Sequence, residues 1–122
     1  MQREVLDESK VHPAIREKVA THHRPVVEEV KAAIAKHDVV VVGMAINPHP
    51  RRARTLLRSK GIAHEYLEYG SYFSDWRRRT ALKKWSGWPT FPMIFVKGVL
   101  IGGADDLVKL SESGELERML KA

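Results

Sequence analysis

Apolar and polar positions along the chain predict an alternation of helices and strands that begins at Pro25. From Pro25 to about Lys36, apolar residues recur at helical spacing, with proline at the first helical position. The unbroken β-branched run from Val39 to Val42 predicts a strand that is buried on both faces. Residues 1–24 are more polar, and we expect an N-terminal extension with one short helix over about residues 14–20.

A second helix and strand follow the buried run. Asn47 suits a helix N-cap and Pro48 the first helical position, while Gly61 suits the helix end. The segment from His64 to Tyr69 alternates as a strand, which gives a right-handed βαβ unit.

The next predicted helix covers about residues 75–85. Trp76, Leu82 and Thr80 are expected on its inward face, and four basic residues are expected on its outward face. These are Arg77, Arg78, Lys83 and Lys84. Residues 93–96 and 99–101 flank a Lys97-Gly98 turn and predict an antiparallel hairpin, followed by helical segments interrupted near Gly114. The pattern therefore predicts an α/β domain.

Composition narrows the chemistry that this domain can perform. The sequence has no cysteine, which excludes disulfides, thiolate nucleophiles and the usual structural zinc sites. Its net charge of +6 favours acidic ligands or partners without naming one. No apolar run approaches the roughly 20 residues of a membrane span, and the N-terminus lacks a signal-peptide pattern. We therefore expect a cytoplasmic protein that does not enter the membrane.

Three spaced motifs in the second half resemble the monothiol glutaredoxins. The first is Trp88-Pro89-Thr90-Phe91-Pro92, the second is Phe95-Val96-Lys97-Gly98, and the third is Gly102-Gly103-Ala104-Asp105. The resemblance implies a thioredoxin fold, with a four-stranded mixed sheet flanked by helices. It divides the chain into an N-terminal helical extension over residues 1–24 and a glutaredoxin-like domain over residues 25–122.

The family's active-site motif begins where the first strand meets the next helix. This chain has Asn47-Pro48-His49-Pro50 there, so both sulfur positions are absent and the motif supplies no catalytic residue. Neither asparagine nor proline can attack a disulfide. The resemblance also implies a [2Fe–2S] cluster bound by the motif cysteine and glutathione, which we do not expect without that cysteine. The helix N-terminus that served a thiolate should still favour an anion.

The glutathione-binding framework is largely retained in this resemblance. Phe91 would pair its backbone with glutathione beside a cis Pro92, the Gly103-Ala104-Asp105 turn would capture the γ-glutamyl end, and Arg79 would reach the glycyl carboxylate. The full set is Arg79, Thr90, Phe91, Pro92, Gly103, Ala104 and Asp105. One departure is Met44, which stands where family members place a lysine.

These observations favour a non-redox module that binds glutathione or a protein partner through the retained groove, with no required cofactor. Two alternatives stay open. One is residual glutathione-dependent thiol transfer in redox homeostasis, and the other is regulation of cysteine-bearing glutaredoxins or of iron–sulfur assembly.

Other ligand classes have weaker support in the sequence. Three consecutive arginines near Trp76 and Trp85 suggest nucleic acid, but no nucleic-acid-binding motif accompanies them and we expect none to bind. His49 and the adjacent His22 and His23 are weak metal candidates, because neither position shows the spaced ligand set that a metal needs. A Rossmann-type nucleotide site is disfavoured because no G-x-G-x-x-G follows a strand.

Overall fold

A computed structural model describes residues 3–21, 24–45, 48–70 and 76–121 of the chain. A short 3-10 helix at Glu8–Lys10 precedes the six helices and four strands of the described part. The helices are α1 (Pro13–Thr21), α2 (Arg24–Lys36), α3 (Pro48–Ser59), α4 (Trp76–Ser86), α5 (Ala104–Glu112) and α6 (Glu115–Lys121). The strands are β1 (Val39–Gly43), β2 (Glu65–Glu68), β3 (Met93–Val96) and β4 (Val99–Gly102).

The four strands form one mixed sheet in the order β2-β1-β3-β4. β1 pairs in parallel with β2, placing Val41 opposite Tyr66, and pairs antiparallel with β3, placing Val41 opposite Ile94. β3 and β4 form the predicted hairpin, whose turn residues Lys97 and Gly98 have φ values of 52° and 79°. Positive φ at both positions is typical of a type I′ turn, which matches the strand twist. The predicted four-stranded mixed sheet is confirmed.

The sheet separates two hydrophobic layers, and β1 contributes to both. Val40 and Val42 pack in the layer that also holds α2 and α4 residues, whereas Val39 and Val41 pack against residues of α3, α5 and α6. All four valines have no exposed surface. Because successive side chains of a strand point to opposite faces, a strand covered on both sides needs an unbroken apolar run.

The predicted inward position of Trp76 is wrong. Its side chain is 59% exposed, whereas Leu82 of the same helix is fully buried. Residues six apart on a helix lie about 120° from each other around its axis, so the two side chains do not share a face. The burial of Leu82 therefore turns Trp76 toward solvent.

Candidate functional site

One cavity of about 480 Å³ opens between α4, the loop before β3 and the start of α5. All seven residues predicted for glutathione line it, together with Met44, Lys83, Trp88, Pro89 and Asp106. The sheet order explains why residues far apart in sequence meet here. β3 runs antiparallel to both β1 and β4, so the end of β1, the loop before β3 and the start of α5 lie at the same edge of the sheet.

The loop before β3 forms one wall of the cavity. The Phe91–Pro92 peptide bond is cis, as the resemblance implies. Thr90 is exposed, whereas Phe91 is 7% exposed and packs in the hydrophobic layer beneath the cavity. The wall therefore combines an accessible outer edge with a buried aromatic side chain.

The start of α5 forms the opposite wall. Asp106 accepts a hydrogen bond from the Gly103 amide at 2.9 Å and so caps the helix. Gly102 precedes this cap with φ at 111°, and a Cβ there would lie 2.5 Å from Oδ2 of Asp106. Only glycine accommodates that close approach. Amides in the first turn of a helix have no acceptor within the helix, so this wall favours an anionic group.

Arg79 supplies positive charge from α4 but is only 7% exposed. Its Nη1 donates a hydrogen bond to the Tyr69 carbonyl at 3.0 Å. Tyr69 is held in turn by its hydroxyl, which donates to Glu29 at 2.5 Å, and burial raises the pKa of that hydroxyl well above its usual value. The guanidinium is thus fixed to the end of β2 while it borders the cavity.

Lys83 also lines the cavity, although sequence patterning indicated only that it faces outward. Its Nζ lies 5.8 Å from the centre of the Phe91 ring. The spacing of four residues from Arg79 places both on neighbouring positions of one helix face, which is the signal that could have identified it. A second cation therefore borders the cavity from the same helix.

Met44 lies where the resemblance implies a lysine. It lines the cavity, is 7% exposed and packs in the hydrophobic layer with Phe91. This side of the cavity is apolar. Among the described residues, the positively charged side chains that line the cavity, Arg79 and Lys83, both belong to α4.

Asp105 has a partner that the sequence did not predict. Its Oδ1 lies 2.8 Å from Nη2 of Arg52, which extends from α3. Both side chains are substantially exposed, at 77% and 49%. The carboxylate expected to bind a γ-glutamyl group thus already forms an ion pair at the cavity edge.

The degenerate motif is described only in part. Asn47 lies outside the described residues, as do His22 and His23. The backbone of Pro48, His49 and Pro50 forms the first turn of α3, as predicted. Within the described ranges, no three His, Asp or Glu side chains are grouped so that they could hold a metal ion.

Comparison with known proteins decides the family. The family model described as Glutaredoxin matches residues 47–101. A "Glutaredoxin-like protein" of Dictyostelium discoideum is 46% identical over 103 residues, which cover 84% of this chain and 84% of that protein. The chain belongs to the glutaredoxin family. It is a glutaredoxin-like protein without cysteine.

Two further glutaredoxins extend the comparison. "Probable monothiol glutaredoxin 2" of Rickettsia prowazekii is 36% identical over 99 residues, which cover 77% of this chain and 90% of that protein. The crystal structure of a buckwheat glutaredoxin–glutathione complex superposes with a TM-score of 0.68 at 21% identity, over 80% of this chain and 89% of that one. The first adds to the family assignment, and the second supports the fold. In the described part of this glutaredoxin, no helix is long and apolar enough to cross a membrane.

The residues of this chain do not fit the [2Fe–2S] cluster that the resemblance to monothiol glutaredoxins implies. A [2Fe–2S] cluster takes thiolate ligands, and this sequence supplies none. Its cavity is instead bordered by arginine, lysine, aspartate and apolar side chains.

Proposed function

We propose that this protein binds glutathione, free or attached to a protein cysteine, and holds it without thiol–disulfide exchange. One observation carries the proposal: the seven residues that the motifs indicate all line a single cavity. Those residues come from α4, the loop before β3 and the start of α5, so their convergence depends on the fold as a whole.

Each charged end of glutathione has a complementary partner around the cavity. The first turn of α5 favours the α-carboxylate of the γ-glutamyl residue, and Asp105 complements its ammonium group. The Phe91 backbone is suited to pair with the central peptide unit as an added strand. Lys83 and Arg79 complement the glycyl carboxylate from α4.

Lys83 supplies a positive charge in place of the lysine that the family has at the position of Met44. Its side chain is exposed, so its Nζ can turn toward a carboxylate, whereas Arg79 also holds the Tyr69 carbonyl. We therefore assign Lys83 the larger share of the charge contact with the glycyl group.

Exchange chemistry is not part of the proposed function because no thiolate is available. The buckwheat relative whose structure is titled as a glutathione complex shares this fold, which adds support for the ligand. Binding without reaction suits a protein that recognises or carries glutathione-bearing molecules.

Titration of isotope-labelled protein with glutathione, followed by NMR, tests the proposal. We expect shifts of the Phe91 and Ala104 amides, with equal affinity for S-methylglutathione because the sulfur takes no part in a reaction. Lys83→Gln should weaken binding about fivefold, as expected for a partly solvated charge contact. The matched control is Lys109→Gln, an exposed lysine on α5 that does not line the cavity.

Two results would contradict the proposal. The first is an absence of shifts at these amides at millimolar glutathione. The second is tight binding of glutathione with no binding of the S-methyl analogue, because a site that excludes a methyl group on the sulfur cannot hold glutathione attached to a protein cysteine.

A further inference from the structure

Helix α4 presents a basic surface to solvent. Its sequence, WRRRTALKKWS, contains five basic residues and no acidic one. At about 100° per residue, five of its residues fall within one sector of roughly 120° that faces away from buried Leu82. We name this sector the α4 strip: Trp76, Arg77, Thr80, Lys83 and Lys84.

The strip has an apolar as well as a charged component. Trp76 is 59% exposed, and Cζ of Arg77 lies 5.3 Å from the centre of its ring. An exposed indole beside cations is suited to contact an apolar side chain within an acidic segment. Burial of α4 on its opposite face explains neither the exposed ring nor the uniform sign of the charges.

Lys83 connects the strip to the cavity. It lines the cavity near Phe91 and also belongs to the strip. From Lys83 to Trp76 the helix rises about 10 Å, which an extended peptide spans with roughly three residues. A chain attached to an occupant of the cavity therefore meets Lys84 and Arg77 within a few residues.

We propose that the α4 strip docks acidic peptide segments next to a glutathionylated cysteine whose glutathione occupies the cavity. The inference rests on the proposed function and adds to it a partner class, namely proteins with Asp and Glu beside the modified cysteine. Charge complementarity carries it: with Lys83 engaged by glutathione, Arg77 and Lys84 remain to meet acidic side chains, and the exposed Trp76 ring lies beside them. Nucleic acid is disfavoured as the partner, because proteins that bind single strands stack successive bases on several aromatic side chains, whereas the five residues of the strip include one aromatic side chain, Trp76.

Fluorescence anisotropy with labelled, glutathionylated peptides tests this inference. The peptides carry acidic, neutral or basic residues around one central cysteine. At about 0.1 M salt we expect the acidic peptide to bind about tenfold more tightly than the neutral one. This advantage should disappear near 1 M salt, because the Debye screening length falls from roughly 10 Å to roughly 3 Å.

Two double variants test whether the preference for acidic peptides depends on the α4 strip. Arg77→Gln with Lys84→Gln should abolish the preference for acidic peptides and leave the affinity for free glutathione unchanged. The matched control, Arg58→Gln with Lys109→Gln, removes equal charge from exposed positions on α3 and α5, whose buried residues pack against the other face of the sheet. This control should keep the preference.

Each contrary result has a defined meaning. Equal affinity for acidic and neutral peptides, or equal loss in both double variants, overturns the inference while glutathione binding stands. Tighter binding of a single-stranded oligonucleotide than of the acidic peptide also overturns it. If glutathione fails to bind while an unmodified acidic peptide still docks on the strip, the docking surface stands and the proposed function fails.

Discussion

Nη2 of Arg52 lies 2.8 Å from Oδ1 of Asp105, so the cavity's most exposed carboxylate is in contact with a cation from another helix. Exposed ion pairs of this kind contribute about 0–1 kcal/mol. A ligand ammonium group must therefore compete with Arg52 for Asp105, and the competition is weak enough to be overcome.

Arg52→Ala should tighten the binding of glutathione about two- to fivefold, because it removes the competing guanidinium at a cost below about 1 kcal/mol. Isothermal titration calorimetry at low salt measures the change. Arg51→Ala provides the control, since Arg51 is an exposed neighbour on the same helix. Weaker binding by Arg52→Ala alone would mean that Arg52 itself contacts the ligand.

Met44→Lys should return the charge that the family resemblance implies. We expect glutathione to bind about tenfold more tightly, the effect of one charge-assisted hydrogen bond. The same change should lower the free energy of unfolding by roughly 1–3 kcal/mol, because Met44 is 7% exposed within the hydrophobic layer. Calorimetric titration and urea denaturation measure the two effects, and Met44→Leu controls for packing.

If Met44→Lys loses stability without any gain in affinity, the new ammonium does not reach the ligand. In that case the glycyl carboxylate contact would remain with Arg79 and Lys83 of α4 alone.

Asn47→Cys should give the protein glutathione-dependent reduction of hydroxyethyl disulfide, whereas the natural chain should not exceed the buffer rate. Residue 47 directly precedes α3, and a helix N-terminus lowers the pKa of an adjacent thiol below its usual value of about 8.5. Asn47→Ser is the control, since it supplies a hydroxyl in place of the thiol. A folded Asn47→Cys variant that binds glutathione yet stays at the buffer rate would refute the expectation.

His64 should make stability fall in mild acid. Burial lowers the pKa of this imidazole below 6.5, and the positive charges of Arg54 and Arg58 lower it further. The hydrogen bond with the Ile62 carbonyl and the charge of Glu65 raise the pKa but do not cancel this shift. The unfolded chain therefore binds a proton more readily than the folded one, so the contribution of neutral His64 is complete above about pH 6.5 and is lost as the pH falls below it.

Urea denaturation at a series of pH values checks this prediction. The difference in unfolding free energy between the natural chain and His64→Gln should shrink as the pH falls below 6.5. A difference that stays constant across this range would contradict it. His37→Gln serves as a control, since His37 is a more exposed histidine beside Glu65.

The local sequence pattern was sufficient to predict elements whose residue types are specific to one environment or one backbone conformation. The four valines of β1 predict a strand buried on both faces, and the Lys97-Gly98 pair predicts the hairpin turn. The inward prediction for Trp76 fails because the helical angle from buried Leu82, and not the hydrophobicity of the indole, sets the direction of its side chain.

Contacts between distant segments could not be predicted in the same way. Arg52 and Asp105 are separated by 53 positions, and their meeting depends on how α3 and α5 pack on the sheet. The role of Lys83 likewise depends on the path of the loop that carries Phe91 beside α4. Neither relationship leaves a periodic signal in one segment.

Phe91 and Met44 line the cavity and also belong to the hydrophobic layer under the sheet, so the floor of the site is part of the core itself. Reshaping that floor to suit another ligand would disturb the packing that keeps the domain folded. The rim is different, because its charged side chains are exposed and do not pack in the core. These are Arg52, Lys83 and Asp105. Changes in ligand preference can therefore accumulate around the rim while the floor stays constant.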